Sequence, residues 1–258
     1  MELILSMVIK NDKVNKDRGE FFMEQVHLDC RLETVAELVQ ENTRVADIGT
    51  DHGYLLIYLC QKGKILEGIG CDLREGPLSS AKMNVQLSGL ENRIQLRLGD
   101  GLKPINKDEV DGVTICGMGG GTIREILEGS GNLWKSLSYV VCQPQNDGGQ
   151  LRKFLCESGW KIEEERMVES QNRIYEMFRA VPGEMKIPEK EIYWELGPLL
   201  IEQKEQLVLK KIDELLFLVN RALGGLRKSA QSANNEEKKV LWQERMKELE
   251  EVKKWLLE

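Results

Sequence analysis

The sequence predicts an α/β fold: a parallel sheet covered by helices, ending in an antiparallel hairpin and followed by a hairpin of two helices. Three observations predict it. Between Val45 and Val181, short apolar runs alternate with amphipathic ones, the pattern of successive strand–helix–strand units. The last of those residues hold two strand-like runs with no helix between them, so that pair must be antiparallel. Further on, apolar residues recur at steps of three and four, the spacing of one helix face.

The elements follow in order. "VHLDCRLETVAELVQ" (26–40) reads as an amphipathic helix. Strands are predicted at "RVADIG", "ILEGIGCDL", "RIQLRLGDG", "DGVTICGMG" and "SYVVCQPQ". Helices fill the gaps, such as "GPLSSAKMNVQLSG", with Pro77 near its start and Gly89 at its end. "WKIEEERMVESQNRIYEMFRAV" turns at "ESQNR" and supplies the hairpin at one sheet edge. Residues 181–198 then carry three of the six prolines and read as a linker. Beyond it, Val208, Ile212, Leu215, Val219, Ala222 and Leu226 form a coiled-coil seam. "GGLRKSAQSANN" interrupts the pattern, and Trp242, Met246, Leu249, Val252 and Leu256 resume it, with Asn235 expected as the cap of the second helix.

Composition narrows the function. Of 258 residues, 41% are hydrophobic and 31% charged, as in a globular protein, and no apolar run approaches the roughly 20 residues of a membrane span. The start of the chain does not read as a secretory signal. Six cysteines without a C-x-x-C pair and only two histidines give a metal site little to draw on, so no metal is expected. The cysteines read as reduced core thiols, and the expected location is the cytoplasm. A net charge of −7 argues against a simple nucleic-acid-binding surface, although a local basic patch remains open. Residues 1–22 lack periodicity. Residues 18–20 (RGE) can be encoded by a purine-rich tract resembling a ribosome-binding site, so translation is expected to start at Met23, leaving 1–22 as a non-native or disordered extension.

Candidate site residues cluster at predicted strand ends. The first strand runs into "DIGTDHG", Asp47 to Gly53, where Gly49 and Gly53 let a ligand approach the backbone and a helix start supplies N–H groups. The G-x-G-x-x-G dinucleotide fingerprint is absent. The second strand ends in Asp72, 25 positions after Asp47, followed by Leu73. A carboxylate there can accept both hydroxyls of a ribose. The third ends in Asp100-Gly101, able to accept from an adenine amino group, and the fourth opens into "GMGGG" from Gly117-Met118. Each feature taken singly is an ordinary turn. Four on successive strand ends point to an adenosine-containing ligand.

These residues carry a resemblance. An acid–x–Gly turn, an acid ending the next strand and "GD" ending the third resemble the class I S-adenosylmethionine-dependent methyltransferases, which have a Rossmann-like sheet with a reversed last strand. More closely, "RLETVAELV", "VADIGTDHGYL", "ICGMGGGTI", "QPQNDGGQLRKFL" and "NRIYEM" are similar to the bacterial tRNA (adenine-22) N1-methyltransferase family, over about residues 26–258. The resemblance implies S-adenosylmethionine as cofactor and tRNA as partner. It implies that Asp47, Gly49, Thr50, Asp51, His52 and Gly53 surround the methionine part, that Asp72 with Leu73 holds the ribose, that Asp100 and Gly101 hold the adenine, and that Gly117 and Met118 form the mouth. It also implies a methyltransferase domain over 23–183 and a helical hairpin domain over 184–258.

Enzymes that methylate exocyclic amines often carry Asn/Asp-Pro-Pro-Tyr after the fourth strand. "CGMGG" stands here instead, which fits a ring nitrogen whose in-plane lone pair needs no acceptor to draw it out. Asp51 is the candidate for stabilising positive charge on the base, with His52 as its orienter or simply a turn residue. Gln143, Asn146 and Arg173 could position the base or bond their own loops. Lys204, Lys210, Lys211, Arg221, Arg227 and Lys228 could clamp the tRNA body or be a solvated face. A small-molecule methyltransferase and a non-catalytic nucleotide-binding coiled-coil protein remain rivals. Oligomeric state stays open, with a monomer favoured.

Overall fold

The computed structural model describes residues 25–228 and 233–258. Residues 1–22 and the proposed start at Met23 lie outside them. The first helix, α1 (Cys30–Leu38), is capped by Asp29, whose Oδ1 accepts from Leu32 N at 2.8 Å. It is followed by β1 (Thr43–Ile48), α2 (Tyr54–Gln61), β2 (Ile65–Asp72), α3 (Glu75–Leu87), β3 (Ile94–Leu98), β4 (Gly112–Met118), α4 (Gly120–Gly129), β5 (Tyr139–Pro144), α5 (Gly148–Glu157), β6 (Trp160–Ser170) and β7 (Arg173–Pro182).

The seven strands lie in the order β3-β2-β1-β4-β5-β7-β6. The first five are parallel, and β7 runs antiparallel to both β5 and β6. Alternate residues of the central strands serve opposite faces. Ala46, Ile48, Val140 and Cys142 pack with Ile123 and Leu127 of α4 and Leu151 and Leu155 of α5. Val45, Tyr139 and Val141 pack with α1, α2 and α3 on the other face. Trp134 stacks between Phe154 and Trp160, at 5.8 and 5.3 Å between ring centroids. The strand order reverses direction between β1 and β4, so the crevice outside their carboxyl ends is where such a sheet binds ligands.

The stretch 181–198 does not behave as a free linker. It contains α6 (Glu191–Leu196), whose Ile192, Trp194 and Leu196 are buried, and runs into α7 (Pro198–Glu202) with Pro198 at the first helical position. Two long helices follow, α8 (Gln206–Lys228) and α9 (Ala233–Leu257). Asp213 near the start of α8 pairs with Lys253 near the end of α9, so the two are antiparallel. Val208, Ile212, Val219 and Leu223 of α8 meet Leu249, Val252 and Leu256 of α9 in one core with Ile192, Leu196 and Leu200. Of the expected seam, Leu215, Ala222 and Leu226 are only half-buried, and Leu223 takes a place in the core instead. The second helix begins at Ala233, which puts Asn235 inside its first turn rather than at its cap.

Three cysteines, 60, 71 and 142, are buried, and burial pushes all three thiols up, to about 11, 12 and 12. Cys30 is exposed at the start of α1, against the expectation that the thiols sit in the core. Among the described residues no helix is long and apolar enough to cross a membrane.

Candidate functional site

The apolar run of β1 ends where Asp47 enters the sheet's carboxyl edge. Its register partners are Gly70 of β2 and Thr114 of β4. The side chain is buried, and Oδ1 accepts from Thr114 Oγ1 at 2.6 Å. Burial pushes the Asp47 carboxyl up, the Thr114 and Thr50 hydroxyls restrain that shift, and the Asp72 and Asp51 carboxylates add to it. Three carboxylates are thus close enough to feel one another's charge, a setting that attracts a cationic group.

The turn beyond Asp47 is held by backbone bonds: Gly49 N and Thr50 N both donate to Cys71 O, at 2.8 and 3.0 Å, and Gly53 N donates to Thr50 O. Gly49 (φ 75°), Asp51 (φ 52°) and Gly53 (φ 75°) all adopt left-handed conformations, which compress the turn before α2. A Cβ on Gly49 would lie 2.4 Å from Met118 Cε, so this turn and the β4 loop close on each other across the mouth. Thr50 is buried, with its Oγ1 close enough to Asp47 to help hold that carboxyl down, although among the described residues no hydrogen bond of good geometry reaches the hydroxyl. Asp51 and His52 are half-exposed beside it, with His52 Nε2 3.6 Å from Asp51 Oδ2. The His52 carbonyl accepts from Asn84 Nδ2, and its ring lies 5.6 Å from that of Tyr54.

Asp72 ends β2 with its carboxylate buried, Oδ1 accepting from Arg74 N at 2.9 Å. Leu73 is 68% exposed immediately after it, an apolar face presented at the edge. Gly99 N donates to Asp72 O, which brings the Asp100-Gly101 turn alongside. The Asp100 carboxylate is exposed and paired with Lys103 at 2.6 Å, while Gly101 (φ 56°) backs onto Ile126. Gly117 (φ 71°) stands next to last in β4, and Asn146 is exposed with Oδ1 against Gly119.

Two of the three residues named for substrate sit differently from one another. Gln143 is buried beneath the mouth, where Oε1 accepts from both Gly117 N (3.1 Å) and Arg31 Nη1 (2.9 Å) and Nε2 donates to Pro144 O. Through these bonds it holds the loop. Arg173 is exposed at the hairpin tip, 5.7 Å from the centre of the Tyr175 ring. That tip stands beyond the carboxyl end of β5, because Cys142 pairs with Phe178 and the strand continues past Pro144 towards Arg173. Sequence reasoning missed Arg31 and Tyr175. Arg31 lies 112 residues from Gln143, and nothing local in "DCRLE" marks it out from any charged residue on an amphipathic helix.

The proposed clamp lysines divide as well. Lys210 pairs with Glu169, and Lys211 with Glu176 and the Glu195 carbonyl, so both anchor α8 to the sheet. Lys204 lies 5.0 Å from the Trp255 ring centre, and Arg221 is exposed. The side chains of Arg227 and Lys228 lie outside the described residues. Among the described residues no group of three or more His, Cys, Asp or Glu could hold a metal ion.

A cationic adenosyl ligand fits this edge. Buried acids stand at it, the left-handed glycines leave room for it, and the Thr50 hydroxyl, without a well-formed hydrogen bond among the described residues, can give one. Residues 28–178 match a family described as a methyltransferase domain. The tRNA (adenine(22)-N(1))-methyltransferase of Bacillus subtilis is 32% identical over 234 residues, covering 89% of this chain and 98% of that protein. Its crystal structure, named as the M1A22 tRNA methyltransferase TrmK, aligns with a TM-score of 0.82 at 33% identity over 88% of this chain and 99% of the other. TrmK of M. capricolum, solved with the cofactor product S-adenosyl-homocysteine, aligns with a TM-score of 0.77 at 28% identity over 89% and 99% of the two chains. Similarity of that extent, running through the strand ends that carry the acids and into the helical hairpin, shows that the chain belongs to the TrmK family of tRNA (adenine-22) N1-methyltransferases, within the class I S-adenosylmethionine-dependent enzymes.

Proposed function

We propose that this protein transfers a methyl group from S-adenosylmethionine to N1 of adenine 22 in tRNA. The observation that carries this reading is the match to 98% of the Bacillus subtilis enzyme, within which the whole acidic cradle falls. The M. capricolum complex with S-adenosyl-homocysteine supports the cofactor.

When bound, the cofactor supplies an electrophilic methyl on a sulfonium. Asp47, Thr50 and the 49–53 turn are the residues to hold its methionine part, Asp72 and Leu73 its ribose, and the Asp100-Gly101 turn its adenine. Gly117 and Met118 then border the opening through which a base must enter. Adenine N1 lies on the Watson–Crick edge, so the target base must be unpaired or turned out of its stack. N1 attacks with an in-plane lone pair and needs no base to deprotonate it. The product purine is cationic. Our candidate to stabilise that charge is Asp51, half-exposed in the 49–53 turn, with His52 at 3.6 Å to orient its carboxylate. Catalysis otherwise rests on alignment of the base within the opening. We assign residues 184–258 to contact with the tRNA body through Lys204 and Arg221, and the reaction to the cytoplasm with the protein acting as a monomer.

The test is transfer of labelled methyl from S-adenosylmethionine to unmodified tRNA transcripts, followed by mapping of reverse-transcription stops. Label with a stop at adenine 22 is the expected result. Cofactor binding without label in tRNA would direct the search to a small acceptor.

A further inference from the structure

Arg31, Tyr175 and Arg173 form a group beside the mouth that the reaction outlined above does not use. The Arg31 and Arg173 guanidiniums lie 5.8 and 5.7 Å from the centre of the same Tyr175 ring. Each contact is favourable alone, since a cation is drawn to an aromatic face. Together they place two positive charges on one ring, of which Asp29 offsets only the one on Arg31. Among the described residues Arg173 forms no ion pair. Arg31 is 3.8 Å from Asp29 through Nε and gives Nη1 to Gln143, which among the described residues leaves the other arm of its fork unused. The nearby acids are otherwise committed: Glu169 to Lys210, and Glu176 to Arg152 and Lys211.

The place of this group matters as much as its charge. Arg31 is joined to the mouth through one side chain, because Gln143 Oε1 accepts from Arg31 and from Gly117 N together. Arg173 stands at the hairpin tip on the same edge of the sheet. An RNA strand that turns a base into the mouth must carry its own phosphates past this point. Guanidiniums match phosphate in charge and in paired donor geometry, and they are held here by an aromatic ring rather than left to swing.

We propose that Arg31 and Arg173, gathered on Tyr175, form a phosphate clamp for the RNA strand that presents the target adenine. The clamp rests on the reading of this protein as a tRNA methyltransferase. It fixes the strand without reading its sequence, as backbone contacts do. Through Gln143 it also ties strand capture to the position of Gly117.

The test uses the full chain, unmodified tRNA transcript and S-adenosyl-homocysteine. Arg173→Gln and Arg31→Gln are each expected to weaken tRNA binding and to lower the slope of log affinity against log salt by about 1. Arg173→Gln should leave the affinity for S-adenosyl-homocysteine unchanged. Tyr175→Phe should behave as wild type and Tyr175→Leu as the arginine variants, with folding of each checked by thermal melting. An unchanged salt slope in both arginine variants overturns the clamp. So does a loss of S-adenosyl-homocysteine affinity with tRNA affinity intact, which would assign the arginines to the cofactor's carboxylate. Wild-type protein that labels no tRNA would reject the parent reading, whatever the variants do.

Discussion

Among the described residues Thr50 Oγ1 is buried without a well-formed hydrogen bond, beside the Asp47 carboxyl that it helps to hold down, and a buried hydroxyl left unsatisfied costs up to about 1–3 kcal/mol. The fold tolerates this at one place, between the Asp47 carboxylate and the backbone of the turn that closes on Met118. Replacing the hydroxyl by a methyl removes the cost in the free protein and removes a hydrogen bond in the bound one. Thr50→Val is therefore expected to melt at the wild-type temperature or slightly above it without ligand. It should bind S-adenosyl-homocysteine about 2- to 10-fold more weakly, the worth of one ordinary hydrogen bond. Calorimetric titration alongside thermal melting checks both. A variant that loses stability but keeps its affinity would mean that the hydroxyl serves the fold. Asp47 and the two left-handed glycines were legible in the sequence because strand, acid and glycine stand within seven residues. The state of Thr50 was not, since an unmade hydrogen bond depends on atoms that strands distant in sequence bring to it.

Strands announced themselves for a similar reason. The central strands are apolar runs, β1, β2 and β4 ending at or beside Asp or Gly and β5 in Gln143-Pro144, and burial on both faces leaves no other pattern for their interiors. The short α6 did not, because two glutamates flank its buried Ile192, Trp194 and Leu196 and three prolines surround it. Its helix is fixed by packing against α5 and the helical hairpin, a tertiary effect that local composition conceals. The two long helices show how far a periodic pattern can be trusted. Val208, Ile212 and Leu249 are wholly buried, whereas Leu218, one residue before Val219, is 54% exposed. Leu249→Ala is accordingly expected to destabilise the protein by about 2–5 kcal/mol, through lost transfer energy and a cavity in the core that the two helices share. Leu218→Ala should change stability by no more than about 0.5 kcal/mol. Denaturant unfolding of the pair separates core from surface on one hairpin. Equal effects would mean that the seam faces the other way.

At the scale of the whole molecule, helical hairpin and sheet are joined by buried charge as well as by apolar contact. Arg152 of α5 is fully buried, donating to Glu165 at 2.5 Å, to Glu176 at 3.0 Å and to the Trp194 carbonyl at 3.2 Å. Lys211 of α8 completes the group on Glu176, and Glu165 in turn accepts from Leu199 N at the start of α7. Such a cluster has no cheap half-formed state, because each charge removed leaves its partner buried and unpaired. Burial alone would raise the Glu176 carboxyl, but Arg152 and Lys211 outweigh it and bring it down to about 2. A carboxyl held below its unfolded value contributes stability above that value, near 4.5, and the contribution fades as pH falls from there towards 2. Glu176→Gln should be less stable than wild type at neutral pH, and the gap between the two should narrow steadily over that acid range. The difference curve matters, since Glu109, likewise brought down to about 2 by Arg97, titrates in both proteins and cancels. Denaturant midpoints measured for both proteins from pH 7 to pH 2 decide it. A constant gap would mean that Glu176 works through shape rather than charge. A closing one would show that protonating a single buried carboxyl loosens the seam between sheet and hairpin.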